Sequence, residues 1–137
     1  MMSGAAGLGP LNVVSYSPGV CNIGPAEIAR RRMIGHLGLA VTVVLFAVLV
    51  VVGAPHWTRL VLVIPAGGSA SGYLQAWFHF CAGFGSRGIY NLGPLGTVQE
   101  VADPQARARD RARSLQIGLG GLAIGVVVAI VAALLPI

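Results

Sequence analysis

The sequence predicts an all-α membrane protein with three transmembrane helices, its N-terminus cytoplasmic and its C-terminus outside. Three observations carry this. Met33 to Gly53, Leu60 to Phe84 and Leu115 to Ile137 contain no Asp, Glu, Lys or Arg. A spanning helix needs about 20 mostly apolar residues, because each rises ~1.5 Å and the hydrocarbon core is ~30 Å thick. The composition agrees, with 55% of residues hydrophobic and 9% charged against about 25% charged in soluble domains. The basic residues are also one-sided. Arg30, Arg31 and Arg32 precede the first stretch and Arg87, Arg107, Arg109, Arg111 and Arg113 lie between the second and third, while Arg59 stands alone between the first and second. The positive-inside rule then puts the arginine-rich side in the cytoplasm.

Residues 1–24 are expected to form a flexible cytoplasmic tail ahead of a transmembrane domain over residues 25–137. Met1 to Val20 hold no charged side chain and are punctuated by Gly, Pro, Ser and Asn. Order begins at Gly24-Pro25-Ala26-Glu27, where Pro in the first helical position and an acid in the first turn suit a helix N-terminus. The first span, about 33–53, ends at Ala54-Pro55. Pro55 to Arg59 form an outer hairpin, with Trp57 where an interfacial aromatic belongs.

The second span, about 60–84, is chemically uneven. Pro65 predicts a kink, since it removes a backbone donor and crowds the preceding turn. At roughly 100° per residue, Gly68, Gly72, Gln75 and His79 share one face and Tyr73, Trp77, Phe80 and Phe84 the opposite one. The small face is expected to pack helices, because Gly68 and Gly72 form a G-x-x-x-G pair matched by Gly121 and Gly125 in the third span. The aromatic face is expected to meet a partner or lipid. A Gly- and Arg-rich cytoplasmic loop, 85–114, follows. Asp103-Pro104 is an N-cap and first-turn pair, so the last helix starts well before its span, about 115–137. Its Arg107, Asp110, Arg111 and Arg113 point in several directions, as in a solvated stub. Arg30, Arg31, Arg32, Arg87, Arg111 and Arg113 are expected to contact headgroups.

Gly83-Phe84-Gly85-Ser86-Arg87-Gly88 matches the dinucleotide fingerprint G-x-G-x-x-G, but that motif needs a strand before it inside a βαβ unit, and here an apolar helix precedes it. Cys21, His36, His79 and Cys81 gather on the cytoplasmic side of the expected topology. They lack C-x-x-C or H-x-x-x-H spacing, and H-x-C on a helix sets its side chains about 200° apart. No metal site is expected. His79 is expected to hydrogen-bond across a helix interface with Gln75 or a serine, and the cysteines to be reduced apolar fillers. The acids Glu27, Glu100, Asp103 and Asp110 fall in caps or loops, so no catalytic constellation forms. Spans without acid or Lys argue against proton pumping or ion-coupled transport.

The function expected from these features is that of a small non-catalytic accessory or scaffold subunit of a larger membrane complex, binding partner subunits and membrane lipids but no nucleic acid. Nine arginines and no lysine suit a GC-rich bacterial genome, making the membrane a bacterial inner (plasma) membrane. His79 in the second span with Tyr90 beyond it also resembles the membrane-anchor subunits of succinate dehydrogenases, with Ile89 where those carry Asp before the Tyr. That resemblance implies, as the alternative, a redox anchor in which His79 ligates haem and Tyr90 lies by a quinone.

Overall fold

The computed structural model describes residues 15–137. Four α-helices carry the fold: α1 (Pro25–Val51), α2 (Val63–Phe78), α3 (Ala82–Arg87) and α4 (Pro104–Leu134), with a 3-10 helix (His56–Leu62) leading into α2. Two short strands, β1 (Ile89–Tyr90) and β2 (Gln99–Glu100), pair antiparallel with Ile89 opposite Glu100. The helix starts follow local chemistry. Pro25 opens α1 after Gly24, and Asp103 caps α4 by accepting from the Gln105 N–H at 3.1 Å.

Among the described residues, α1 and α4 are the two helices long and apolar enough to cross a membrane. The single helix expected over 60–84 is replaced by three pieces. Pro65 does not kink a continuous α-helix; it sits in the first turn of α2, where a missing N–H costs nothing and the chain passes from 3-10 to α geometry. At the other end His79 adopts the left-handed conformation, φ 55° and ψ 40°. The Phe80 N–H then reaches back to the Gln75 carbonyl at 3.0 Å, the Schellman pattern that ends a helix. His supports this turn better than most side chains, and no Gly or Pro announces it.

The tail expected over 1–24 also departs from expectation where it is described; residues 1–14 lie outside the described residues. Asn22, Ile23 and Gly24 are buried, and Ile23 bridges to Asn91 in parallel pairing. A Cβ on Gly24 would collide with the Leu92 carbonyl.

α2 lies between α1 and α4, and small residues set the spacing on both sides. Toward α1, a Cβ on Gly72 would stand 2.7 Å from the Gly35 nitrogen and 2.8 Å from the Arg31 carbonyl, and one on Gly38 would meet Ser69 at 2.8 Å. Toward α4, Gly125 lies against Gly67 and the Val63 carbonyl, each 2.8 Å from such a Cβ, and Gly121 lies against Ser71. Gly68 faces open space; its neighbour Gly67 makes the contact instead. The buried positions of α4, among them Ala106, Ser114, Ile117, Gly121, Gly125 and Ala129, recur every three or four residues as one narrow stripe.

Arg59, read from sequence as a lone outer-loop charge, is 2% exposed. Its guanidinium donates to the carbonyls of Ala132 (2.9 Å), Leu135 (3.2 Å) and Ile137, and lies over the Phe46 ring at 5.3 Å. It thus satisfies the free carbonyls at the end of α4 and meets the negative end of the helix dipole. Substituting Gly72→Leu should destabilise the bundle by about 1–3 kcal/mol or more through overpacking against α1, whereas Gly68→Leu should stay within about 0.5 kcal/mol of the parent. Thermal unfolding in detergent followed by circular dichroism separates the two.

Candidate functional site

Polar residues converge where the arginine-rich ends of α1 and α4 meet the loop after α2. Glu27 and Arg31 sit one turn apart on α1 and form a buried ion pair at 2.9 Å, with side-chain exposures of 2% and 9%. The second Glu27 oxygen accepts from the Asn91 amide at 3.0 Å. Arg31 also donates to Cys81 Sγ at 2.9 Å and lies 5.4 Å from the centre of the Phe84 ring. Asn22 and the Cys81 backbone exchange two hydrogen bonds, at 2.6 and 3.1 Å. Cys81 Sγ accepts the Phe84 N–H and caps α3. Four places along the chain, at Asn22, on α1, around Cys81 and at Asn91, are tied by side chains whose polar atoms are almost all matched, as burial demands.

A second clasp joins the 16–19 segment to α4. The Tyr16 hydroxyl donates to Asp110 at 2.6 Å, the Gly19 N–H donates to the other Asp110 oxygen at 2.8 Å, and the Tyr16 ring stacks on Tyr90 at 4.6 Å. Asp110 is therefore fully buried, not part of a solvated stub. Burial, reinforced by the Asp110 carboxylate, holds the Tyr16 phenol well above the ordinary tyrosine range. Burial likewise raises the Cys21 thiol. Cys21 and Cys81 are both free thiols.

Beside this knot an open groove of about 620 Å³ runs along α2, walled by Arg32 of α1 and Ile124 of α4. Its floor includes Ala70, Tyr73, Leu74 and Trp77, and His79 stands at its end. The Tyr73 hydroxyl and His36 Nδ1 share a hydrogen bond at 2.7 Å.

The structure divides the residues singled out by sequence. Gly72, Gly121 and Gly125 stand at close helix contacts, while Gln75 bonds Ser71 and the Ala82 N–H. Of the aromatic four, Trp77 is 79% exposed but Phe80 is fully buried. Phe80 turns inward because the helix ends before it. Phe84 lies half-buried between the Arg31 and Arg87 guanidinium groups, at 5.4 and 5.7 Å from its ring centre. Among the arginines, Arg30, Arg32, Arg87 and Arg111 are exposed. Arg113 donates to the Gly19 carbonyl and lies over Phe78. Arg31 is buried and cannot be a headgroup contact; its partner Glu27, four residues away, was the readable signal. Asn22 and Asn91 had none, because their partners lie 59 and 64 residues distant. Tyr90 bonds Gln99 and stacks on Tyr16, whereas His79 borders the groove. The Gly83 to Gly88 segment is α3 and its left-handed cap, with Gly85 pressed against Ser114 and Phe80.

No protein-family model, curated protein or solved structure matches the chain.

Removing one partner of the buried pair, as in Glu27→Ala, should cost about 3–5 kcal/mol, and the apolar double variant Glu27→Leu with Arg31→Met much less, measured by denaturant unfolding. The Tyr16 proton is held more tightly in the folded than in the unfolded chain. Its contribution is therefore complete below about pH 10 and declines as pH rises beyond that value. Unfolding midpoints taken from pH 8 to about 11 should show an alkaline loss that is smaller in Tyr16→Phe.

Proposed function

We propose that this chain is a three-span integral membrane protein of a bacterial inner membrane, N-terminus cytoplasmic and C-terminus outside, serving as a small non-catalytic accessory subunit. It binds partner subunits and lipid through its helix faces. The observation that carries this reading is exposure. Only 11% of the spanning window of α1 and 28% of that of α4 is buried, whereas a core helix of a soluble protein is mostly buried. Valines 41, 43, 44 and 48 of α1 and Leu119, Leu122 and Val127 of α4 all face outward. An apolar surface of this extent calls for lipid or another subunit.

The middle segment supports a third crossing. Trp57 and Trp77 are 71% and 79% exposed. Along the 3-10 helix and α2 they stand ~32 Å apart, near the hydrocarbon thickness that separates two interfacial aromatic belts. The arginine distribution supports the orientation. Support for an accessory role comes from the polar knot: Asn22, Glu27, Arg31, Asn91 and Asp110 are engaged with one another or with backbone, leaving outward faces for interaction.

Mild-detergent affinity purification from native membranes should bring down stoichiometric partner proteins, identified by mass spectrometry; a chain that migrates alone defeats the accessory reading. A C-terminal reporter active only outside the cytoplasm should be active, and silence there reverses the topology.

A further inference from the structure

The groove on α2 sorts its side chains by height. Gly38 against Ser69 and Gly35 against Gly72 set α1 antiparallel to α2, so Arg32 stands level with the last turn of α2. Gly121 against Ser71 and Gly125 against Gly67 set the register of α4, which places Ile124 near the level of Gly68. Arg32, Trp77 and His79 therefore gather at the arginine-rich end of the groove, and Ala70 and Ile124 line the other. The two ends are ~14 Å apart along the helix axis.

Charge at the polar end is uncompensated. The one ion pair among the described residues joins Arg31 to Glu27, while the next residue, Arg32, is exposed and no carboxylate lines the groove. Tyr73 is a fixed part of the floor because His36 holds its hydroxyl. His79 borders the groove from a left-handed turn, a conformation that costs energy for any residue with a side chain and that clusters at ligand sites. The volume, about 620 Å³, lies within the range of ligand clefts.

We propose that this groove binds one anionic phospholipid of the cytoplasmic leaflet, its phosphate against Arg32 and His79 and an acyl chain along Leu74 and Ile124. Trp77 lies beside the glycerol level, where an interfacial indole belongs. The proposal rests on the three-span membrane reading above.

The two tryptophans of the chain provide the test. Trp57→Phe leaves Trp77 as a reporter in the groove, and Trp77→Phe leaves Trp57 as a reporter at the opposite end. Each full-length variant is reconstituted in phosphatidylcholine vesicles doped with brominated phosphatidylglycerol or, separately, brominated phosphatidylcholine. Trp77 should be quenched by the anionic lipid at about fivefold lower mole fraction, the worth of one arginine against anionic lipid, and Trp57 should show no preference. Arg32→Gln should abolish the preference. His79→Asn, which keeps a residue suited to the left-handed turn, should reduce it. Equal quenching of Trp77 by the two lipids, or a preference that survives Arg32→Gln, overturns the lipid site and leaves the membrane reading standing. Quenching of Trp57 but not Trp77 also overturns the site, by placing a second copy of the chain over the groove. If no lipid quenches either tryptophan, the membrane reading falls and takes the lipid site with it.

Discussion

Backbone-to-backbone contact along both sides of α2 is the constraint on which the rest of the structure depends. For helices in lipid, as proposed for this chain, apolar side chains gain nothing by leaving the solvent, so such helices hold together through close packing and hydrogen bonds. Gly35, Gly38 and Gly72 provide that closeness on one side and Gly67, Gly121 and Gly125 on the other. Close approach also brings polar groups within reach of carbonyls. The Ser69 hydroxyl donates to the Gly35 carbonyl at 2.7 Å, a bond that wider helices could not make. Because α2 is thin on both sides, α1 and α4 rise beside it as walls, and the groove is a direct result of the packing.

A bundle held by small residues leaves little room for charged groups in its middle, and the structure places its buried charges, Glu27, Arg31, Arg59 and Asp110, at its two ends. At one, Arg59 meets the carbonyls that close α4. At the other, the knot around Glu27 and Arg31 fastens the 22–24 segment, the turn after α2 and the loop at Asn91 to α1. The first is a charge against main-chain oxygens and a helix dipole. The second is a buried pair whose oxygens and nitrogens find further partners, the condition under which burial of charge is tolerated.

The all-helical class and both long helices were legible because their signals are local. Runs without charge, Pro25 after Gly24 and Asp103 before Pro104 act within one or two turns. What was not legible depended on conformation or on distant partners. His79 ends α2 through a backbone state that composition does not announce, and that break turns Phe80 inward and sets α3 apart. Gly68 and Gly67 exchange roles because a face assigned at 100° per residue tells only that a side is small, not which small residue meets a neighbour. The 16–24 segment reads as irregular, and it is; its order comes from Asn91, Cys81 and Asp110, which lie 59 or more residues further along the chain.

The run Arg30-Arg31-Arg32 illustrates how one sequence feature can carry two roles at once. Consecutive helical residues point about 100° apart, so three adjacent arginines cannot all face lipid headgroups. Arg31 falls on the side of α1 that meets the loop after α2, where Glu27, one turn earlier, and Asn91 make its burial affordable. Arg30 and Arg32 fall on exposed sides. A charge count for topology treats the three alike, because it depends only on which side of the bilayer they stay. Packing distinguishes them. The inward arginine fixes where α1 stands relative to the Cys81 turn, and that turn carries His79 to the end of the groove that Arg32 borders. The buried pair therefore positions the exposed charge, and a substitution at Glu27 acts on the groove through geometry even though Glu27 does not line it.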